Sequence, residues 1–157
     1  MSPPAREDAQ PPLARLFAIA YRQLITDLHA ELARRGWTDV RPAYGFALLA
    51  LREGPLSSGE LGVLLGMTKQ AASKLVDALV DAGYARRGES AGDARVRPVE
   101  LTERGRELQA TAEEIYRDLE GRWAEMVGED RLAALRTDLI SVTSDENGEL
   151  PPVRPLW

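Results

Sequence analysis

Five side chains between positions 68 and 74 have the chemistry to read a double helix. Thr68, Lys69, Gln70, Ser73 and Lys74 all carry hydrogen-bonding groups. On a helix, residues 69, 70, 73 and 74 would share one face, because positions four apart are surface neighbours. Glutamine can pair with adenine through two hydrogen bonds, lysine can reach guanine acceptors or phosphate, and hydroxyls suit either task. Ala71 and Ala72 would keep such a helix slim enough for close approach. The plainer explanation is that any solvated helix shows a polar face, so this row alone does not decide.

A second cationic set follows at Arg86, Arg87, Arg95 and Arg97, the last two beside turn material containing Gly92 and Asp93. A guanidinium at a ribbon tip can enter a narrow minor groove, where the potential is more negative. Asp93 would brace a neighbouring arginine. The alternative is an ordinary exposed ion pair, worth about 0–1 kcal/mol. Residues 68–97 hold six cations and four anions, a net of +2, in a chain whose formal net charge is −5, so the rest carries −7. The acidic pI of about 5.0 argues against a uniformly basic nucleic-acid binder. It leaves one local basic segment in an acidic protein.

Helices and a ribbon must hold these groups. Residues 1–10, with Pro3, Pro4 and several charges, read as a disordered arm. Pro11 and Pro12 can open a helix, and Leu13, Leu16, Phe17, Ala20, Leu24, Leu28 and Leu32 recur behind them at spacings of three and four until Gly36. A second helix runs from Pro42 to the stop at Gly54-Pro55. Ser57 or Ser58 caps a short helix over about 59–65, Gly66 breaks it, and Thr68 caps the next, whose Ala72, Leu75, Val76 and Leu79 face inward until Gly83.

Residues 84–87 and 96–101 have strand-like spacing. Pro98 would confine its strand to an edge, which a two-stranded ribbon tolerates. Thr102 caps a long helix with a stripe of Leu108, Ala112, Ile115, Leu119 and Met126, and with Trp123 nearby. After Gly128 a last helix carries Leu132, Leu135, Leu139 and Val142, and the proline-containing tail from Asp145 to Trp157 should be irregular.

Helix, glycine break, short helix and basic hairpin together form the pattern of a helix-turn-helix with a ribbon beside it. The stretch from Glu60 to Leu79, then Gly83-Tyr-Ala-Arg-Arg87, Asp93-Ala-Arg95 and Leu101-Thr-Glu-Arg-Gly105, resembles the MarR family of winged-helix transcriptional regulators. The resemblance covers about residues 11–143. It implies a mainly α fold with a small β-hairpin wing, a winged helix-turn-helix at 42–105 flanked by helical dimerisation segments at 11–36 and 106–143, with 144–157 left as an irregular tail. It further implies a homodimeric repressor that binds a pseudo-palindromic operator in double-stranded DNA and is released by a small molecule. Lys69, Gln70, Ser73 and Lys74 would then be major-groove residues and Arg95 the minor-groove arginine supported by Asp93. Arg86, Arg87 and Arg97 would mostly address phosphate.

The two apolar stripes that flank the reading unit want a partner beyond its short helices. A twofold dimer meets that need by reusing one patch; the alternative is a monomer whose stripes cover each other. Aromatics gather where the first two helices meet, namely Tyr21, His29, Trp37, Tyr44 and Phe46, with Arg41 available as an anion partner. By the resemblance this is the candidate pocket for a small aromatic or anionic effector, against the alternative that these rings are core or dimer packing.

Other functions find less support. There is no glycine-rich phosphate loop, nucleophile elbow or metal-binding histidine cluster, and the Glu113-Glu114 and Asp145-Glu146 pairs sit in polar stretches. His29 is the only histidine and the cysteine count is zero, so no metal site, no cofactor and no thiol switch is expected. No apolar run approaches the roughly 18 residues of a membrane span. No membrane partner and a cytoplasmic location are therefore expected. The rival to a DNA-binding regulator is a winged-helix protein-interaction module that does not bind DNA.

Overall fold

The computed structural model describes residues 10–89 and 97–155. In chain order the elements are α1 (Leu13–Arg34), α2 (Pro42–Leu51), α3 (Ser58–Leu65), α4 (Lys69–Asp81), β1 (Ala85–Arg87), β2 (Val99–Leu101), α5 (Glu103–Val127) and α6 (Glu129–Thr143). The architecture is mainly helical with one small antiparallel hairpin, as the sequence predicts. Asp93, Arg95, the 1–9 part of the expected arm and Trp157 lie outside the described residues.

Local chemistry sets the α3–α4 unit. Ser57, rather than Ser58, is the α3 cap: its hydroxyl accepts from the Glu60 amide at 3.1 Å, while the Glu60 carboxylate accepts from the Ser57 amide at 2.7 Å. Gly66, at φ +65°, stops α3, and Thr68 restarts the chain as α4 by accepting from the Ala71 amide at 3.1 Å. The two helices cross tightly, since a Cβ on Gly62 would lie 3.2 Å from that of Ala72. Ala72 is fully buried in this crossing. Its small size therefore serves α3, which corrects the expectation that it thins the outward face.

The hairpin pairs Ala85 with Leu101, Arg86 with Glu100 and Arg87 with Val99. On its other edge Val99 bridges to Leu56, exchanging hydrogen bonds at 3.0 and 2.7 Å. Val99 is thus paired on both sides, while the sheet itself keeps the two strands expected. Regular pairing of β2 begins at Val99, one residue past Pro98, which has no N–H to give; the Pro98 carbonyl still accepts from the Gly88 amide at 2.7 Å.

The core joins this unit to α1 and α5 through Leu28, Leu32, Leu48, Leu61, Val76, Leu79, Leu108 and Ile115. Arg35 ties α1 to α5 from outside, bonding Glu31 at 3.2 Å, Glu114 at 3.3 Å and Asp118 at 3.2 Å. The long stripes are only partly covered within one chain. Phe17 on α1 is 45% exposed, Met126 on α5 74% and Val142 on α6 77%. Met126 is therefore not a core position, and α6 has no buried residue. Past α6 the described tail is irregular apart from a turn at Asp145.

At the start of α5, Thr102 accepts from the Gly105 amide at 3.1 Å and donates its own proton to the Gly83 carbonyl at 2.6 Å. Gly105 is buried there, and a Cβ would run into the Tyr84 carbonyl oxygen. Gly105→Ala should cost about 1–3 kcal/mol of unfolding free energy by overpacking. Urea denaturation checks this; an unchanged midpoint would contradict the contact.

Candidate functional site

Helix α4 turns two faces in opposite directions. Ala72, Leu75, Val76 and Leu79 are buried, while Lys69, Gln70 and Lys74 are exposed and Ser73 is half-buried on the flank. Neither lysine has an ion-pair partner among the described residues. Thr68 is exposed, but its hydroxyl oxygen is committed to the helix cap, leaving its proton free to donate outward. The outward row sits on the first half of the helix, where unsatisfied amides and the macrodipole favour anions.

The cations of the hairpin divide. Arg86 bonds Glu100 across the ladder at 2.7 Å, and Arg87 bonds Asp77 of α4 at 2.5 Å. Both guanidiniums are thus partly neutralised inside the chain, and Arg87 fastens the hairpin to α4. Spacing alone did not reveal this, because Asp77 reaches Arg87 only after the Gly83 turn folds β1 back. Arg97 is exposed and has no ion pair among the described residues.

The aromatic cluster also divides. A cavity of about 330 Å³ opens between α1, α2 and α5, lined by Tyr21, His29, Arg41 and Phe46 of the predicted set. Trp37 and Tyr44 do not line it. They pack instead around Tyr84, with ring centroids 6.1 and 6.0 Å away. The Arg104 guanidinium stands 5.0 Å from the Trp37 ring and 5.1 Å from Tyr84, whose hydroxyl donates to Asp39 at 2.5 Å. This buried joint claims the two rings for structure.

Sequence reasoning missed the other wall. Leu108, Gln109, Ala112, Glu113 and Tyr116 face the cavity from α5, and Val153 reaches it from the tail. The α5 residues had a signal, since 109, 112, 113 and 116 share one helical face; Val153 had none. Burial pushes the His29 imidazole below its ordinary value, so at neutral pH it offers an uncharged ring. Burial, assisted by Tyr21 and Glu113, pushes the Tyr116 phenol up to about 12, and burial also raises Tyr21. The cavity thus combines apolar walls with one guanidinium, the Glu113 carboxylate, an imidazole and two phenols. No group of three or more His, Cys, Asp or Glu able to hold a metal occurs among the described residues. Nor is any helix there long and apolar enough to cross a membrane.

Comparison with known proteins fits this geometry. A family model described as MarR family matches residues 38–96. The exopolysaccharide II synthesis transcriptional activator ExpG of Rhizobium meliloti (strain 1021) is 38% identical over 101 residues, which is 62% of this chain and 50% of that protein. The chain thus spans about half the length of the curated relative it matches. The transcriptional repressor CouR, solved bound to a 23-mer DNA duplex, superposes with a TM-score of 0.69 at 25% identity, covering 90% of this chain and 99% of that one. A Mycobacterium tuberculosis MarR family protein solved with salicylic acid gives 0.65 at 27% identity, covering 85% and 98%.

The raised phenol makes a pH prediction. A folded-state value above the unfolded one stabilises the fold fully below pH 10 and loses that contribution as pH climbs toward 12. At about pH 11, between the ordinary and raised values, tyrosinate absorbance should show late-titrating phenols, and Tyr116→Phe should remove one. Complete ionisation of every tyrosine by that pH, without unfolding, would contradict the partly buried position and raised pKa of Tyr116.

Proposed function

We propose that the chain is a member of the MarR family, on the match of residues 38–96 to that family's model and the likeness to a solved MarR family protein, and that it is a sequence-specific, DNA-binding transcriptional regulator acting as a homodimer. The observation that carries the reading is the outward row Lys69, Gln70 and Lys74 on the first half of α4, without ion pairs among the described residues, whose opposite face is locked in the core. In this reading the row enters the major groove. Gln70 pairs with adenine, the lysines address guanine or phosphate, and Thr68 and Ser73 donate from the flanks. Arg97 contacts phosphate, as do Arg86 and Arg87 by sharing their carboxylate partners. Arg95, braced by Asp93, enters the minor groove; that assignment rests on residue spacing and the family resemblance.

Residues 42–105 form the reading unit, and 11–36 with 106–143 the dimerisation region. The exposed apolar positions of α1, α5 and α6 support a twofold partner, because one patch then covers itself. Paired α4 helices would meet successive major grooves about 34 Å apart on a pseudo-palindromic operator. Repression follows where that operator overlaps a promoter. The cavity between α1, α2 and α5 receives a small aromatic acid that alters operator affinity, with Arg41 as the anion partner. Location in the cytoplasm, beside the chromosome, belongs to the same reading, and the chemistry is that of a binder with no catalytic step.

Titrating salt against operator affinity tests this. Affinity should fall steeply with salt through counterion release. Lys74→Ala should weaken all sequences alike and lower the slope by about 1, whereas Gln70→Ala should cost about 1–3 kcal/mol of discrimination at one base pair per half-site. An unaltered slope and preference in both variants would remove α4 from the interface. No retention of duplex at low salt would leave the protein-interaction module.

A further inference from the structure

The proposed function gives no task to the segment after α6. There Asp145 accepts from the amides of Asn147 and Glu149 at 2.8 and 2.9 Å, a turn that sends the chain back over α2 and α3. Residues 150–153 then lie along an apolar groove with Leu49 and Leu64 on its walls. Val153, with Phe46 and Leu49, borders both this groove and the 330 Å³ cavity. One residue further, Arg154 donates to the Leu64 carbonyl at 3.0 Å and the Val63 carbonyl at 3.5 Å. Its Cδ lies 3.4 Å from where a Cβ on Gly66 would stand. The last carbonyls of a helix lack intrahelical donors, and a cation is favoured beside them.

We propose that residues 150–154 are a strap that lids the cavity with Val153 and clamps the α3–α4 turn with Arg154, so that cavity occupancy and order at the entry of the reading helix are coupled. Three features support it. The cavity is open while the strap is docked, so an occupant lies beneath Val153 and adds contacts to it. The contact is shallow, with Val153 still 53% exposed, which suits a segment that docks reversibly. Pro151 and Pro152 limit the freedom of the undocked segment, lowering the entropy lost on docking. Occupant and strap therefore favour each other, and the coupling is reciprocal. The occupant class is a small aromatic carboxylate. The lid half rests on the ligand reading of the cavity; the clamp half does not.

The test compares the full chain, a chain ending at Glu149 and Arg154→Ala, using benzoate calorimetry and amide hydrogen exchange. The reporters are the amides of Gly66 and Met67, which donate to the Val63 and Gly62 carbonyls at 3.2 and 2.8 Å. Without benzoate, exchange at these amides should quicken in both variants. Truncation should weaken benzoate binding roughly 5-fold or more, the lower end of ordinary coupling between sites. Benzoate should slow exchange at the turn in the full chain but not in the truncated one. Unchanged exchange in the variants overturns the clamp. Failure of the full chain to take up benzoate, or equal or tighter uptake after truncation, overturns the lid. DNA retention measured alongside separates this from the regulator reading, because a strap that responds as described in a chain that ignores DNA condemns only the latter.

Discussion

The position of α4 depends on how Tyr84 is gripped. Its amide donates to the Leu79 carbonyl at 2.9 Å, closing α4, and its own carbonyl accepts from the Thr102 amide at 3.1 Å, opening α5. Its ring meets Trp37 and Tyr44, and its hydroxyl reaches Asp39 in the α1–α2 connection. One fully buried residue therefore fixes the end of α4, the root of the hairpin, the cap of α5 and the linker from α1. A buried phenol needs a hydrogen-bond partner, and Asp39 supplies it, so the joint is held by polar as well as apolar contacts.

The rest of the molecule distributes charge and apolar surface around this joint. The acidic body keeps its carboxylates on α1, α5 and α6, where Arg35 and Arg136 bind some of them. The segment after Gly66 carries the local cationic excess. Such exposed pairs contribute little to stability, about 0–1 kcal/mol each. Their effect here is on geometry and on where the two lysines of α4 stand. The apolar faces of α1 and α6, left open by a single chain, lie away from that cationic row in sequence, at its two flanks.

Local signals proved the most legible in the sequence. The Ser57–Glu60 capping box, the glycine stop at 66 and the Thr68 and Thr102 caps mark helix ends by short-range hydrogen bonds, which residue type and spacing encode. The inward face of α4 follows from its period. Contacts between distant segments were not legible. Leu56 pairing with Val99, Asp77 meeting Arg87 and Trp37 turning toward Tyr84 all require the chain to be folded first. Ala72 could be placed on the buried side from periodicity, yet its close partner Gly62 comes from the preceding helix. Four of the six pocket candidates reach the cavity because α1 and α2 converge there, but its α5 wall and Val153 come from 60 or more residues away in sequence.

In the proposed complex two copies of this head address one duplex. Selection of bound sequences from random duplex DNA by the purified protein tests it most directly. A twofold-symmetric winner with half-sites spaced by about one turn of the double helix is expected. Recovery of no enriched sequence, or of a single unpaired motif, would contradict it.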